Sequence, residues 1–172
     1  MKKLIYTLPL FLLYLQCSAQ TKLVAGEFKG RHETVVVKNA MSFNSVDHIF
    51  VYLKSNHYIN GNPHPKKRPV PMRPKDLQIN TEEIKPIVTK VLASKLLQLK
   101  QNKEEMNVQF MFNTKGAVID VYFNLHANTL ITVEDIEEID KLLKNNVKAS
   151  FTGIDYRNYE VINSNFIPPV VF

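Results

Sequence analysis

Between Asn107 and Leu125 the chain alternates apolar and polar residues, stops at Asn113-Thr114-Lys115-Gly116, and alternates again. Successive side chains of a strand point to opposite faces, so a period of two predicts a pair of half-buried strands. Val108, Phe110 and Phe112 fall on one face, with Gln109 and Met111 on the other. On the return strand Ile119, Val121, Phe123 and Leu125 share the apolar face, and Asp120, Tyr122, Asn124 and His126 the polar one. Gly116 suits the positive-φ position of a type I turn closed by a bulge. The pattern is a hairpin with one core face and one wet or lightly covered face that carries no recognisable catalytic set.

On both sides of the hairpin the apolar period lengthens to three and four residues. Ile84, Ile87, Val88, Val91, Leu92, Leu96 and Leu99 form one stripe, which predicts a helix over 80–99. Pro86 is comfortable only in a first turn, so the regular helix is expected to begin near Lys85. A second stripe, Ile136, Ile139, Leu142, Leu143 and Val147, predicts a helix after the hairpin. Thr132 is its N-cap, Asp135 completes a capping box, and Ile131 and Ile136 sit at the positions of a hydrophobic staple. Glu134, Asp135, Glu137, Glu138 and Asp140 read as a solvated face that also suits the positive end of the helix dipole. Residues 158–172, NYEVINSNFIPPVVF, predict one strand or two short ones, held to an edge by Pro168 and Pro169.

Ahead of the first helix, residues 21–60 predict two or three strands. Thr34 to Val37 is β-branched, His48 to Leu53 is rich in strand formers, and His57 to Ile59 precedes the turn dipeptide Asn60-Gly61. Residues 62–75 hold five prolines and five Lys or Arg. Proline fixes φ and removes a donor, so this stretch is expected to be an extended, stiff connector. The reading divides the chain into N-terminal strands (20–61), a proline-rich basic connector (62–80) and a helix–hairpin–helix–strand unit (81–172). Together they predict one compact α+β domain, an antiparallel sheet with two helices packed on one face and extra N-terminal strands.

The first residues change the picture of where this domain works. Lys2 and Lys3 precede an apolar run from Leu4 to Leu15. Twelve residues are too few for a bilayer, which takes about 20, but suit a secretory signal. Cys17 and Ala19 are small residues placed for cleavage before Gln20, so residues 1–19 are expected to be removed. The alternative is a lipoprotein anchored through Cys17. Cleavage leaves an exported protein of the periplasm or cell envelope with no transmembrane span. It also removes the single cysteine, and with it disulfide and thiol chemistry. The net charge is +6, and losing Lys2 and Lys3 makes it +4. An exported basic protein is no candidate for nucleic acid. Its charge suits an anionic lipid, an anionic glycan or an acidic protein, or a plainly solvated surface.

The second half resembles the C-terminal domain of TonB, the periplasmic energy transducer. The likeness rests on Val108-x-Phe110-x-Phe112, on Gly116, Val118 and Val121, on the helix after the hairpin and on the closing PPVVF. Glu105 and Met106 stand where that family has glycines. The resemblance implies a small α+β fold that contacts outer-membrane transporters by strand pairing. The chain also resembles small exported bacterial proteins of unknown function.

Candidate chemistry is thin. His32, His48, His57, His64 and His126 include no i, i+4 pair and no HExxH. A composite metal site of His48, His57 and Asp47 has no support from spacing, so no metal is assigned. Ser42, Ser45, Asp47 and His48 cluster, but without a GxSxG elbow. None of the five glycines lies in a phosphate-cradling loop, so neither a catalytic residue nor a cofactor is assigned. Binding candidates are His48, Tyr52, His57 and Tyr58 as a pocket lining, and Lys66, Lys67, Arg68 and Arg73 as a basic arm. Phe166, Val170 and Phe172 are candidates for edge-strand docking. The expected role is a non-catalytic interaction module with an envelope protein as partner. The alternative is a small-ligand-binding protein or small hydrolase with its pocket near the N-terminal strands.

Overall fold

The computed structural model of the chain describes residues 22–40, 46–58, 73–153, 155–164 and 167–172. The expected signal segment with Cys17, most of the proline-rich connector with Lys66, Lys67 and Arg68, and Phe166 all lie outside them. The strands are β1 (Gly26–Lys29), β2 (Thr34–Asn39), β3 (His48–Leu53), β4 (Leu77–Ile79), β5 (Glu105–Asn113), β6 (Val118–His126), β7 (Ala149–Phe151), β8 (Val161–Ser164) and β9 (Val170–Val171). The helices are α1 (Ile84–Val91), α2 (Leu96–Gln101) and α3 (Val133–Asn146). Among the described residues no helix is long and apolar enough to cross a membrane.

One antiparallel sheet dominates, in the order β1-β2-β3-β6-β5-β8, with β9 also on β5. β8 pairs Phe110 to Asn113 and β9 pairs Glu105 and Met106, so the two short strands share one edge of β5. The N-terminal strands are not an appendage, because β3 pairs with β6 along its length. β4 and β7 make a separate two-stranded ribbon. That ribbon turns the end of the connector into structure, since Leu77–Ile79 pairs with Ala149–Phe151.

The first face of the sheet carries the core. Val35, Val37, Ile49, Val51, Leu53, Met106, Val108, Phe110, Phe112, Val121, Phe123 and Leu125 join one buried cluster. Ile84, Val88, Leu99, Ile136, Ile139 and Leu143 reach it from the three helices. At about 25 cal/mol per Å² of apolar surface removed from water, such burial is the chief drive for this architecture.

Three local outcomes differ from the alternation and the stripes. The predicted helix over 80–99 is divided into a 3-10 turn at Thr81–Glu83, then α1, then α2 after a break at 92–95. Leu92 and Leu99 are both fully buried while Leu97 is 70% exposed, so the break aims two separate turns at one core. Pro86 falls in the first turn of α1, where no helical hydrogen bond is lost. The hairpin register shifts between Met111 and Phe112, so Phe112 faces Val118 and Met111 faces Asp120. Ile119 is thereby displaced from the apolar face assigned to it and packs on the opposite side, while Val118 enters the core. The acidic positions of α3 are not all solvated, because Glu137 and Asp140 are buried.

Glu137 shows what such burial does. Its carboxylate accepts the backbone N–H groups of Arg31 at 2.8 Å, His32 at 3.1 Å and Glu33 at 2.6 Å, clamping the β1–β2 turn to α3. Burial pushes its pKa up, but the three backbone donors outweigh it and hold the carboxyl below its ordinary range. A Cβ on Gly30 would collide with that carboxylate, so a side chain there would have to push Glu137 out of its clamp. At the hairpin, Gly116 has φ 81°, and a Cβ would lie 1.8 Å from the Ala149 carbonyl oxygen. Asn113 Oδ1 accepts from Lys115 N and Ala117 N and completes the turn. The capping box of α3 forms as the motif predicts, with Thr132 and Asp135 bonded reciprocally.

A polar and aromatic face of the sheet as candidate functional site

Strand alternation places a second set of side chains opposite the core, and register sorts them into rows. Asp120, Met111 and Asn163 form one row, and Tyr52, Tyr122 and Gln109 the next. Phe50, Asn124 and Asn107 follow. His48 and His126 end the ladder. Tyr52, Met111, Tyr122 and Val161 form a second buried cluster, which among the described residues contains no helix residue. Phe50 stacks on Tyr122 with ring centroids 5.6 Å apart and planes 7° from parallel. Tyr52 completes the aromatic group and carries Lys38 over its ring at 5.5 Å.

The two ends of this face treat polar groups differently. At one end Asp120, 1% exposed, accepts the backbone N–H groups of His57 at 2.9 Å and Tyr58 at 3.1 Å, and the Tyr122 hydroxyl at 3.3 Å. Asn56 donates to the Val121 carbonyl, so the loop after β3 folds over this end. Burial, then the charge and hydrogen bond of Asp120, push the Tyr122 phenol far above its ordinary value. Tyr122 is therefore a fixed donor and not a base. Burial, then Glu160 and Asp120, also raise the Tyr58 phenol.

Towards the other end lies a cleft of about 210 Å³ lined by Phe50, Asn107, Gln109, Tyr122, Asn124 and Ile167. The Oδ1 of Asn124, one of the lining residues, is buried without a hydrogen-bond partner among the described residues. The fold has a solved counterpart. It is similar to the crystal structure of a DUF5043 family protein from Bacteroides uniformis ATCC 8492, with a TM-score of 0.64 and 13% identity, over 81% of this chain and 82% of that one. At that identity the likeness concerns the fold alone. It spans more of the chain than the unit from residue 81 onward can supply, so it does not single out a TonB-like half. No protein-family model matches the chain, and no curated protein matches it.

The binding candidates named from sequence are scattered over this frame. His48 and Tyr52 stand on the second face, two rows apart, but neither lines the cleft. Tyr58 and His57 serve Asp120 through their backbone, and the His57 ring is 81% exposed, its Nδ1 3.8 Å from Asp120 Oδ1. Tyr58 packs against the cluster that holds Tyr52, and none of the four lines the cleft. Arg73 is exposed and bonded to Asp76 at 2.6 Å. Val170 is turned into the core at 4% exposure, because its strand lies opposite Met106. Phe172 is half-buried against the same core. A wider hollow of about 440 Å³ beside β4 is lined by Leu77, Gln78, Ile79, Thr81, Ser164, Ile167 and Pro168, none of them titratable.

Sequence reasoning passed over Asn107, Gln109 and Asn124 as site residues. Their signal was present, since Asn107 and Gln109 share a face at i, i+2, but the partnering of that face with β3 is not a sequence-local fact.

Proposed function

We propose that this chain is an exported, non-catalytic interaction module that contacts an envelope protein through the second face of its sheet. The export part rests on the first nineteen residues. The contact surface rests on one observation, the cleft lined by Asn124, whose Oδ1 is buried without a hydrogen-bond partner among the described residues. A buried acceptor left unsatisfied costs about 1–3 kcal/mol, and a donor carried by a partner would relieve that cost. The cleft volume selects the kind of occupant. Drug-sized ligands use pockets of roughly 300–1,000 Å³, so about 210 Å³ suits one inserted side chain better than a whole small molecule.

Docking by strand addition, implied by the TonB resemblance, has weaker support. β9 is two residues long and follows Pro168 and Pro169, which offer no N–H to a partner strand.

The reading is tested by a photo-crosslinking residue placed at Asn107, with the same residue at Lys141 on the exposed side of α3 as control. Envelope material from the native host should yield a discrete adduct at position 107 and none at 141. Adducts at both positions, or at neither, would remove the proposal.

A further inference from the structure

The last row of the second face gathers three residues from three strands. His48 opens β3, His126 closes β6 and Glu105 opens β5. His48 lies opposite His126, and the Met106–Leu125 pair places Glu105 beside His126 on its other side. One ligand atom from each of the three, a ring nitrogen from each histidine and a carboxylate oxygen, lies within 4.8 Å of the other two. The imidazoles meet edge to face, 5.1 Å between centroids and 88° between planes. His48 Nδ1 is 2.9 Å from the Val46 carbonyl oxygen. A carbonyl oxygen only accepts, so Nδ1 carries the hydrogen, which in the neutral ring leaves the Nε2 lone pair for a ligand bond. Metal-binding histidines are oriented in this way, by a hydrogen bond from the other ring nitrogen.

We propose that His48, Glu105 and His126 form a binding site for a first-row divalent transition metal, zinc foremost. Two imidazoles and one carboxylate are a ligand set that zinc and ferrous iron accept. Zinc bonds of about 2.0–2.2 Å in a tetrahedral arrangement separate donor atoms by roughly 3.4 Å. The present spacing must close by up to about 1.4 Å, which side-chain rotation supplies without strand movement. Three protein ligands leave one position open, the arrangement of sites that exchange a fourth ligand. The next row along is Phe50, Asn124 and Asn107, about 7 Å away at two residues of strand rise. A ligand on the open position would therefore lie next to the cleft. The site stands on its own geometry and does not depend on what fills the cleft.

The test uses tag-free protein titrated with zinc ions while the imidazole C–H resonances are followed by NMR. One equivalent should shift His48 and His126 and leave His32 and His57 in place. His48→Asn, His126→Asn and Glu105→Gln should each weaken zinc binding by about tenfold to a hundredfold or more, measured by competition with a chromophoric chelator. Zinc that moves neither imidazole overturns the proposal, as does a triple variant that binds as tightly as the parent chain. The NMR result decides the matter even where a variant fails to fold, because it is read on the parent chain.

Discussion

Two faces of one sheet solve the burial of alternating side chains in opposite ways. On the first face Phe110, Phe112 and Phe123 are wholly buried beneath helices. Nothing polar on those side chains needs satisfying, so shape and volume decide their fit. On the second face Tyr122 and Tyr52 are almost as deeply buried, at 2% and 3% exposure, but they sit among amides, a carboxylate and imidazoles. There the energetic question is where each donor and acceptor ends. Asp120 receives three donors, whereas Asn124 Oδ1 receives none among the described residues. Asp140 Oδ1 on α3 is likewise buried without a partner among the described residues, so an unfinished polar group is not confined to one face; what sets the second face apart is that its unpaired Asn124 lines a cleft.

The sharpest way to break this comparison is to truncate one aromatic ring on each face. Phe110→Ala should cost ~3–5 kcal/mol by urea denaturation, since it leaves a cavity under α-helical cover. Phe50→Ala, from a half-buried stacked ring, should cost about 1–2 kcal/mol and also abolish the adduct at position 107. Equal costs would mean that the two faces are energetically alike. Next, Gly116→Ala should lose roughly 3 kcal/mol, because it combines a left-handed backbone with a collision on the Ala149 carbonyl that the hairpin cannot relax. A loss under about 1 kcal/mol in the same assay would show that the turn opens easily.

A buried carboxyl on α3 gives an effect that depends on pH. Burial raises Asp140 from 3.8 to about 6, with Lys144 pulling it down and Glu33 and Asp120 pushing it up. Between those values the folded chain holds a proton that the unfolded chain has released. Stability should therefore fall as pH rises from about 4 to about 6 and level off above that. The fall attributable to this group is at most ~3 kcal/mol. Asp140→Asn should remove it, read as the difference in unfolding free energy between variant and parent at each pH. Glu137 works with the opposite sign, lending stability that is lost as pH drops through its lowered value, and it is common to both chains. A pH-independent difference would exclude the assignment. The smallest effect belongs to the second face. Asn107→Ala should change stability by no more than about 0.5 kcal/mol, while weakening partner capture by a crosslinker placed at Gln109.

Much of the first face was legible from residue 107 onward, because a period of two needs only neighbouring residues to be read. Val108, Phe110, Phe112, Val121, Phe123 and Leu125 are buried in the core as the alternation indicates. Ile119 is the exception, and it fails for a reason invisible to alternation: the register slips by one residue at the turn-proximal end of the hairpin. Glu137 and Asp140 escaped notice because an acidic helix position is a surface position by default; for Glu137 it is the β1–β2 turn, arriving from a hundred residues away, that makes it otherwise. The candidate site was harder still. Asn107 and Asn124 belong to one hairpin and were readable as a pair, but Phe50 enters through β3 pairing with β6.

The sequence by itself determined the hairpin, the capped helix after it, the edge placement of the last strands and the scarcity of catalytic motifs. Each of these depends on residues within a few positions of one another, where backbone periodicity and side-chain chemistry leave little choice. Only the tertiary structure decided that β3 lies against β6, that one helix stripe would break in two, and that His48, Glu105 and His126 would share a row. Strand pairing over long separations is set by which burial the whole chain can achieve at once, and that sum is not written in any single segment.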